Sequence, residues 1–232
     1  MLGAPGRYDP TLYAGQPGGD DEVHWFRLCL RGLALEDRVD LRGVAVCRGS
    51  PLPETEDADA VIIGGSWHSV HEGLPWQRAT VRWLDGYRRT GRPLLAICGG
   101  HQLVAVMLGG RVAPLDGGPC AGSHAVQLTA ASRRHALFEG YATSPSFHFA
   151  NYDQVTEAPP GAVALAWTDR IPFAAVDFSG NWYGVQFHPE ATHTNLATSW
   201  RDENPALAQT YRRLPGATKL IANFLVGAAM IE

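Results

Sequence analysis

The chain has 232 residues, of which 45% are hydrophobic and 18% are charged, and its formal net charge is −4. This composition is typical of a soluble globular protein, and the small negative charge provides no basic surface for nucleic acid or for an anionic membrane. No apolar run approaches the roughly 18 residues that a membrane-spanning helix needs, and the first residues lack the basic and apolar segments of a secretion signal. We therefore expect a cytoplasmic protein that acts on small molecules or on other proteins.

The first half of the chain alternates predicted helices and strands. Residues 1–21 are rich in Gly, Pro and Asp and are expected to form an irregular arm. Apolar residues on one face then predict a helix over Glu22–Leu35. The short apolar runs Gly43–Cys47 and Ala60–Gly65 predict buried strands. A second helix is predicted over Pro75–Arg89, because proline suits the first turn of a helix.

The stretch LLAICGGHQLVAVMLGG, Leu94–Gly110, places a cysteine on a sharp corner. The apolar run before Cys98 predicts a strand, and the apolar residues after it recur at helical spacing, so a tight turn must join the two. A nucleophile on such a turn needs small neighbours two residues away, and Ala96 and Gly100 are small. Free N–H groups at the start of the helix would stabilise a thiolate and the oxyanion that forms when it attacks a carbonyl. Cys98 is therefore the candidate nucleophile.

The second half of the chain is rich in β segments. The segments HAVQLT, AVALAW, PFAAVDF and WYGVQF are punctuated by Gly, Pro and Asp, and helices are predicted over Pro205–Arg213 and Ala217–Val226. Strands that alternate with helices predict an α/β fold with a largely parallel central sheet covered on both faces. No linker or block of charge divides residues 1–232, so we expect a single domain.

The four cysteines are too scattered for a disulfide framework or a structural zinc site. Cys29, Cys47, Cys98 and Cys120 lack paired CxxC spacing, and a chain of this size can fold without disulfides. The histidines likewise lack a cluster of cysteines or carboxylates at zinc spacing. We expect free thiols, no metal and no cofactor.

A cysteine nucleophile needs a base that a third group orients. The segment GVQFHPE is the best candidate, because a predicted strand ends there in His188, Pro189 and Glu190. Side chains two apart on an extended chain point to the same side, and proline keeps the residue before it extended. Glu190 can then hold one ring nitrogen of His188 while the other faces Cys98.

These motifs resemble those of the class I glutamine amidotransferase family, which uses a catalytic triad. Cys98, Gly100 and Gln102 match its nucleophile motif Cys-x-Gly-x-Gln, and residues 188–190 match its His-Pro-Glu motif. The stretch GGSWHSVHEGLPW is similar to the family's glycine loop, and NFL near the end of the chain also agrees. The resemblance covers about residues 58–226. It implies a three-layer, flavodoxin-like α/β domain.

The resemblance also implies a reaction and a set of site residues. Cys98 would attack the side-chain amide of glutamine to form a thioester, His188 would move the proton, and Glu190 would orient His188. The N–H groups of Gly65 and Gly99 would form the oxyanion hole. Ammonia would pass to a separate synthase, the expected protein partner. The implied substrate-binding residues are Gly64, Ser66, Gln102, Asn151 and Tyr152.

Three departures from the family pattern keep other functions open. The first residues cannot supply the family's usual first strand, Ala150 and Asn151 stand where many relatives carry Ser-His, and Cys120 stands where relatives often carry Glu. One alternative is a stand-alone thiol hydrolase of γ-glutamyl peptides or another amide. A second alternative is a non-catalytic relative that binds a metabolite or scaffolds a complex.

Overall fold

Six helices and ten strands make up the regular structure of the residues that the computed structural model describes, 10–16 and 19–230. The helices are α1 (Glu22–Gly32), α2 (Pro75–Arg89), α3 (Gly99–Met107), α4 (His193–Trp200), α5 (Pro205–Ala208) and α6 (Lys219–Gly227). The strands are β1 (Val61–Ile63), β2 (Leu94–Ile97), β3 (Arg111–Pro114), β4 (Cys120–Ala125), β5 (Gln127–Leu128), β6 (Ser146–Asn151), β7 (Asp153–Glu157), β8 (Val163–Trp167), β9 (Ala175–Asp177) and β10 (Trp182–Val185).

The central sheet contains six strands in the order β1-β2-β10-β9-β8-β5. Strand β2 pairs in parallel with β1 and β10, and Leu94 lies opposite both Val61 and Trp182. The remaining pairs in this sheet are antiparallel. The α/β class is thus confirmed, but the sheet is mixed, because the short connections between β8, β9 and β10 leave no room for the crossovers that parallel strands need. Two small antiparallel ribbons, β3–β7 and β4–β6, flank it.

Alternate residues of β2 point into two separate cores. Leu94 and Ala96 pack in a cluster with residues of α2 and α3, whereas Leu95 and Ile97 pack in a cluster with residues of α1 and α6. All four are fully buried, because a strand in the middle of a sheet contributes one side chain to each face in turn. This arrangement puts helices on both sides of the sheet and the end of β2 in the interior.

The N-terminal part of the chain packs more closely than an irregular arm. Residues 1–9, 17 and 18 lie outside the described residues, but residues 10–13 form a 3₁₀ turn and Tyr13 is 1% exposed, with its ring 6.0 Å from that of Trp25. Helix α1 begins after Asp21, whose carboxylate accepts a hydrogen bond from Val23 N–H. It ends at Gly32, three residues before the predicted end.

The predicted strand over Gly43–Cys47 is wrong. Val46–Arg48 forms a 3₁₀ turn, with the N–H of Gly49 donating to Val46 O at 3.1 Å, and Val44 is 38% exposed. Among the described residues, β1 is the edge strand of the sheet, and a cavity lined by residues of this segment and of β1 separates the segment from that edge, so no ladder forms. A five-residue apolar run cannot by itself distinguish a strand from such a loop.

The helix predicted over Pro205–Arg213 is also too long, since α5 ends at Ala208. Beyond it, Tyr211 turns inward and donates a hydrogen bond from its hydroxyl to Phe149 O at 2.5 Å. Strands β3, β6 and β7 and helix α4 have no counterpart in the sequence-based assignment. No helix in the described part of the chain is long and apolar enough to cross a membrane.

Candidate active site

Cys98 occupies the corner between β2 and α3. Its backbone has φ 50° and ψ −108°, a conformation that residues other than glycine rarely adopt and that costs about 1–3 kcal/mol. The N–H of Cys98 donates to Val185 O at 2.8 Å, and its Sγ lies 4.0 Å from Ala150 O. The side chain is only 5% exposed. The structure therefore confirms the strand, sharp turn and helix that the sequence predicts.

Two glycines after Cys98 allow α3 to approach the loop that follows β1. A Cβ atom built on Gly99 would lie 2.8 Å from Ser66 N, and one on Gly100 would lie 2.6 Å from Ile63 O. The N–H of Gly100 donates to Gly64 O at 3.1 Å. The corner thus needs glycine because backbone atoms of the neighbouring loop, together with side-chain atoms of Ile63 and Ser66, fill the space around these positions.

Replacing Gly100 with alanine is expected to lower the free energy of unfolding by about 1–3 kcal/mol, because the new methyl group meets the carbonyl of Ile63. Urea unfolding measures this change, and alkylation of Cys98 reports whether the corner has moved. Gly32→Ala is the matched control, since a Cβ there meets nothing within 4 Å outside α1. Equal destabilisation by both variants would contradict the close approach at Gly100.

His188 and Glu190 follow β10 and converge on the corner. The Nδ1 atom of His188 lies 2.7 Å from Oε1 of Glu190, and the His188 ring and the Cys98 side chain both lie beside Gly65. Both residues are buried, at 4% and 3% exposure. The segment is held in place by Phe187, whose ring stacks on Phe147 at a centroid distance of 3.9 Å. The structure therefore brings Cys98, His188 and Glu190 to the same part of the fold.

The surroundings of His188 favour its protonated form. Burial alone would lower the pKa of His188, but the Glu190 carboxylate and the Cys98 side chain outweigh burial and hold the pKa well above 6.5. The neighbouring His148 behaves in the opposite way, because burial and the charge of His188 lower its pKa to about 4. The backbone carbonyl of His148 accepts a hydrogen bond from the backbone N–H of His188 at 2.8 Å. At neutral pH the positive charge of this pair belongs to His188.

The glycine loop after β1 lies beside Cys98 and His188. A Cβ atom on Gly65 would lie 3.1 Å from Cε1 of His188 and 3.6 Å from Cβ of Cys98. Gly99 is the first residue of α3, so its N–H has no partner within the helix. The two glycines predicted to form the oxyanion hole thus flank Cys98. The N–H of Gly65 donates to Oε1 of Glu22 at 3.1 Å.

The residues predicted to bind substrate divide into inward and outward groups. Gln102 is buried and donates from Nε2 to Asp153 O and to Oε1 of Gln186, so it ties α3 to β7. Asn151 is 3% exposed; its Nδ2 donates to Asp153 O, and its Oδ1 has no hydrogen-bond partner among the described residues.

Tyr152 is 37% exposed and hydrogen-bonds Glu203 through its hydroxyl. Oγ of Ser66 accepts from His68 N–H, and Gly64 contributes its carbonyl to the contact with Gly100. Of the five residues, Tyr152 is thus exposed, whereas Gln102 and Asn151 are buried.

Sequence reasoning missed two residues at the site, Glu22 and His148. Glu22 reaches Gly65 across 43 positions of sequence, and no local pattern encodes such a contact. His148 lies on β6, a strand that the sequence-based assignment omitted, although its alternation SFHFAN is a usable signal. Among the described residues, no group of three or more His, Cys, Asp or Glu side chains could hold a metal ion.

A family model described as glutamine amidotransferase class-I matches residues 41–204 of the chain. The chain is 38% identical over 140 residues to a glutamine-hydrolyzing GMP synthase of Leifsonia xyli, a match that covers 59% of this chain and 26% of the relative. It is 31% identical over 145 residues to a protein of Ignicoccus hospitalis named as one subunit of a glutamine-hydrolyzing GMP synthase, covering 62% of this chain and 73% of that protein. This chain thus spans only about a quarter of the Leifsonia relative.

Solved structures show the same fold. A glutamine amidotransferase from Thermotoga maritima superposes with a TM-score of 0.74 at 18% identity, covering 86% of this chain and 91% of that one. A second glutamine amidotransferase, from Methylobacillus flagellatus, gives a TM-score of 0.73 at 18% identity and covers 89% of each chain. The family model spans more than half of the chain and includes both Cys98 and the residues 188–190. The chain belongs to the class I glutamine amidotransferase family, as its motifs predict.

Proposed function

We propose that this chain hydrolyses the side-chain amide of glutamine with Cys98, His188 and Glu190 and delivers the ammonia to a separate synthase. The observation that carries the proposal is the position of His188, which contacts Glu190 through Nδ1 and lies with Cys98 beside Gly65 at the strained corner. That arrangement is the one that a nucleophile, a base and an orienting group require. We also propose that residues 1–232 form one amidotransferase domain.

The first half of the reaction forms a thioester. The Cys98 sulfur, as a thiolate, attacks the amide carbon, and the N–H groups of Gly65 and Gly99 stabilise the negative charge that develops on the oxygen. His188 then donates its proton to the amide nitrogen, the carbon–nitrogen bond breaks, and ammonia leaves. Its high pKa supports this role, because His188 carries the proton when the leaving group needs it.

The second half of the reaction releases glutamate. Neutral His188 accepts a proton from water, and the hydroxide attacks the thioester carbon. The carbon–sulfur bond breaks, and Cys98 returns as a thiolate beside protonated His188. The Glu190 carboxylate holds the imidazole in one orientation through its contact with Nδ1. No step of this sequence requires a metal or a cofactor.

The ammonia acceptor is proposed from the relatives. The Ignicoccus relative is named as one subunit of a GMP synthase, and this chain covers 73% of it. The Leifsonia relative is named a whole glutamine-hydrolyzing GMP synthase, and this chain covers only a part of it. A synthase subunit that consumes ammonia is therefore the proposed partner, and a GMP synthase is the first partner to test.

A second candidate substrate is supported by the interior of the pocket. Ala150 and Asn151 stand where many relatives carry Ser-His, and the carbonyl of Ala150 lies 4.0 Å from the Cys98 sulfur. Oδ1 of Asn151 is buried and has no partner among the described residues, so it can accept a hydrogen bond from a bound substrate. This acceptor would suit the ammonium or amide N–H of a γ-glutamyl compound as well as that of glutamine.

Covalent labelling with a diazo-ketone analogue of glutamine tests the proposed function. We expect a single adduct on Cys98, detected by the mass of the intact protein, together with release of ammonia from glutamine. A panel of γ-glutamyl peptides run under the same conditions tests the second candidate. Labelling and turnover that occur with γ-glutamyl compounds, and not with glutamine even when a synthase is added, would overturn the glutaminase assignment.

A further inference from the structure

The carboxylate of Glu22 is hydrogen-bonded to one of the proposed oxyanion donors. Oε1 of Glu22 accepts a hydrogen bond from Gly65 N–H at 3.1 Å. The same N–H must point to the substrate oxygen if it is to stabilise the oxyanion. In the structure, then, a side chain of the protein itself takes the hydrogen bond that the reaction needs.

The glycine that binds the carboxylate also lies beside Cys98 and His188. A Cβ atom built on Gly65 would lie 3.9 Å from Oε1 of Glu22, 3.6 Å from Cβ of Cys98 and 3.1 Å from Cε1 of His188. A Cβ on Gly64 would lie 2.2 Å from Oε2 of Glu22. The glycine pair therefore leaves space that the carboxylate fills.

The helix alone does not explain this contact. An acidic residue in the first turn of a helix is favourable in any protein, because the N-terminus of a helix attracts negative charge. In α1, however, Asp21 already caps the helix by accepting from Val23 N–H. Glu22 instead reaches out of α1 to a loop 43 positions away, so its position is a tertiary contact.

We propose that Glu22 is an intramolecular competitor for the oxyanion site, which substrate must displace before Cys98 can react. This inference rests on the proposed glutaminase function. A carboxylate is the group that the product glutamate presents after hydrolysis, so Glu22 resembles bound product. Its negative charge also opposes the developing oxyanion. The structure thus represents a resting state, and release of Glu22 converts it to the active state.

The surroundings of Glu22 leave room for that release. Glu22 and Gly64 line a cavity of about 700 Å³ that runs along β1 toward α6, with Phe26, Val61 and Met230 among its walls. Rotation of the Glu22 side chain into this cavity frees Gly65 N–H without unwinding α1. A substrate, or a synthase that docks beside this cavity, can drive the change by binding the released state more tightly.

The variants Glu22→Ala and Glu22→Gln test the proposal, with Glu36→Ala as the matched control. Glu36 pairs with Arg31 on the surface just after α1, so its loss removes an acid without touching the site. If Glu22 occupies the site nine-tenths of the time, its removal is expected to raise kcat/KM for glutamine about tenfold. The side chain in Glu22→Gln keeps a hydrogen-bond acceptor but loses the negative charge. Its kcat/KM is therefore expected to fall between those of Glu22→Ala and the parent. Equal or lower kcat/KM in Glu22→Ala would overturn the proposal.

Alkylation of Cys98 separates this proposal from the proposed function. We expect Glu22→Ala to react faster than the parent with iodoacetate, which carries a carboxylate, and to gain less with neutral iodoacetamide. The modified peptide identifies Cys98 as the reacting thiol. The ratio of the iodoacetate rate to the iodoacetamide rate is measured without glutamine turnover. It therefore decides the role of Glu22 even if parent and variant both fail to hydrolyse glutamine. An unchanged ratio in that case would overturn the proposal.

Discussion

Replacing Cys98 with alanine is expected to lower glutamine hydrolysis by roughly 10⁴-fold or more, because the variant cannot form the thioester. Cys98 lies on the strained corner before α3 and the other cysteines lie on other elements, so none of them can take over its role. Ammonia release from glutamine measures the loss. The diazo-ketone adduct is expected to disappear in the same variant.

The other thiols provide the control for that experiment. Burial raises the pKa of Cys29 to about 12 and that of Cys120 to about 11, so neither carries a thiolate at neutral pH. Cys47 is partly exposed, and Cys47→Ala is expected to keep full activity and labelling. Hydrolysis by Cys98→Ala at more than about one hundredth of the parent rate would contradict the assigned nucleophile.

Replacing Glu190 with glutamine is expected to lower kcat/KM by about 10²–10⁴-fold and to change its pH dependence. In the parent, the Glu190 carboxylate contributes to a pKa of His188 well above 6.5, so His188 keeps its proton to high pH. Removing that charge lowers the pKa of His188. The alkaline limb of the profile of kcat/KM against pH, where His188 loses its proton, therefore shifts to lower pH in the variant.

A matched substitution controls for the loss of a carboxylate in general. Glu157 is exposed and lies 3.3 Å from Arg111 at the end of β7, so Glu157→Gln is expected to leave the rate and the pH profile unchanged. If Glu190→Gln slowed the reaction without moving the alkaline limb, Glu190 would be supporting the packing of the segment rather than the charge of His188. Measuring kcat/KM across the neutral and alkaline range distinguishes the two roles.

The motif residues could be predicted because each depends on short-range rules. A cysteine between an apolar run and a Gly-Gly pair requires the sharp corner, and α3 begins at Gly99 as that pattern predicts. His188 and Glu190 lie two apart around a proline, so their contact at 2.7 Å also follows from local geometry. These features carried enough information to identify the family.

The errors arose where a segment depends on its neighbours. Gly43–Cys47 has the composition of a buried strand, but it lies across a cavity from the outer edge of β1 and does not pair with it. The prediction of a largely parallel sheet failed for the same reason, because the direction of pairing depends on which strands become neighbours. The hydrophobic pattern of a segment indicates that it tends to be extended, but it does not indicate which strand becomes its partner.

The sequence by itself determined the family, the α/β class, the nucleophile corner and the His-Pro-Glu pair, since each depends on residues a few positions apart. Only the tertiary structure decided the mixed sheet, the pKa of His188 and the contact between Glu22 and Gly65. The last two depend on burial and on groups brought together from α1, the loop after β1, the corner and the end of β10. Chain folding sets those distances, and hydrogen bonds and charge interactions depend on distance rather than on sequence order.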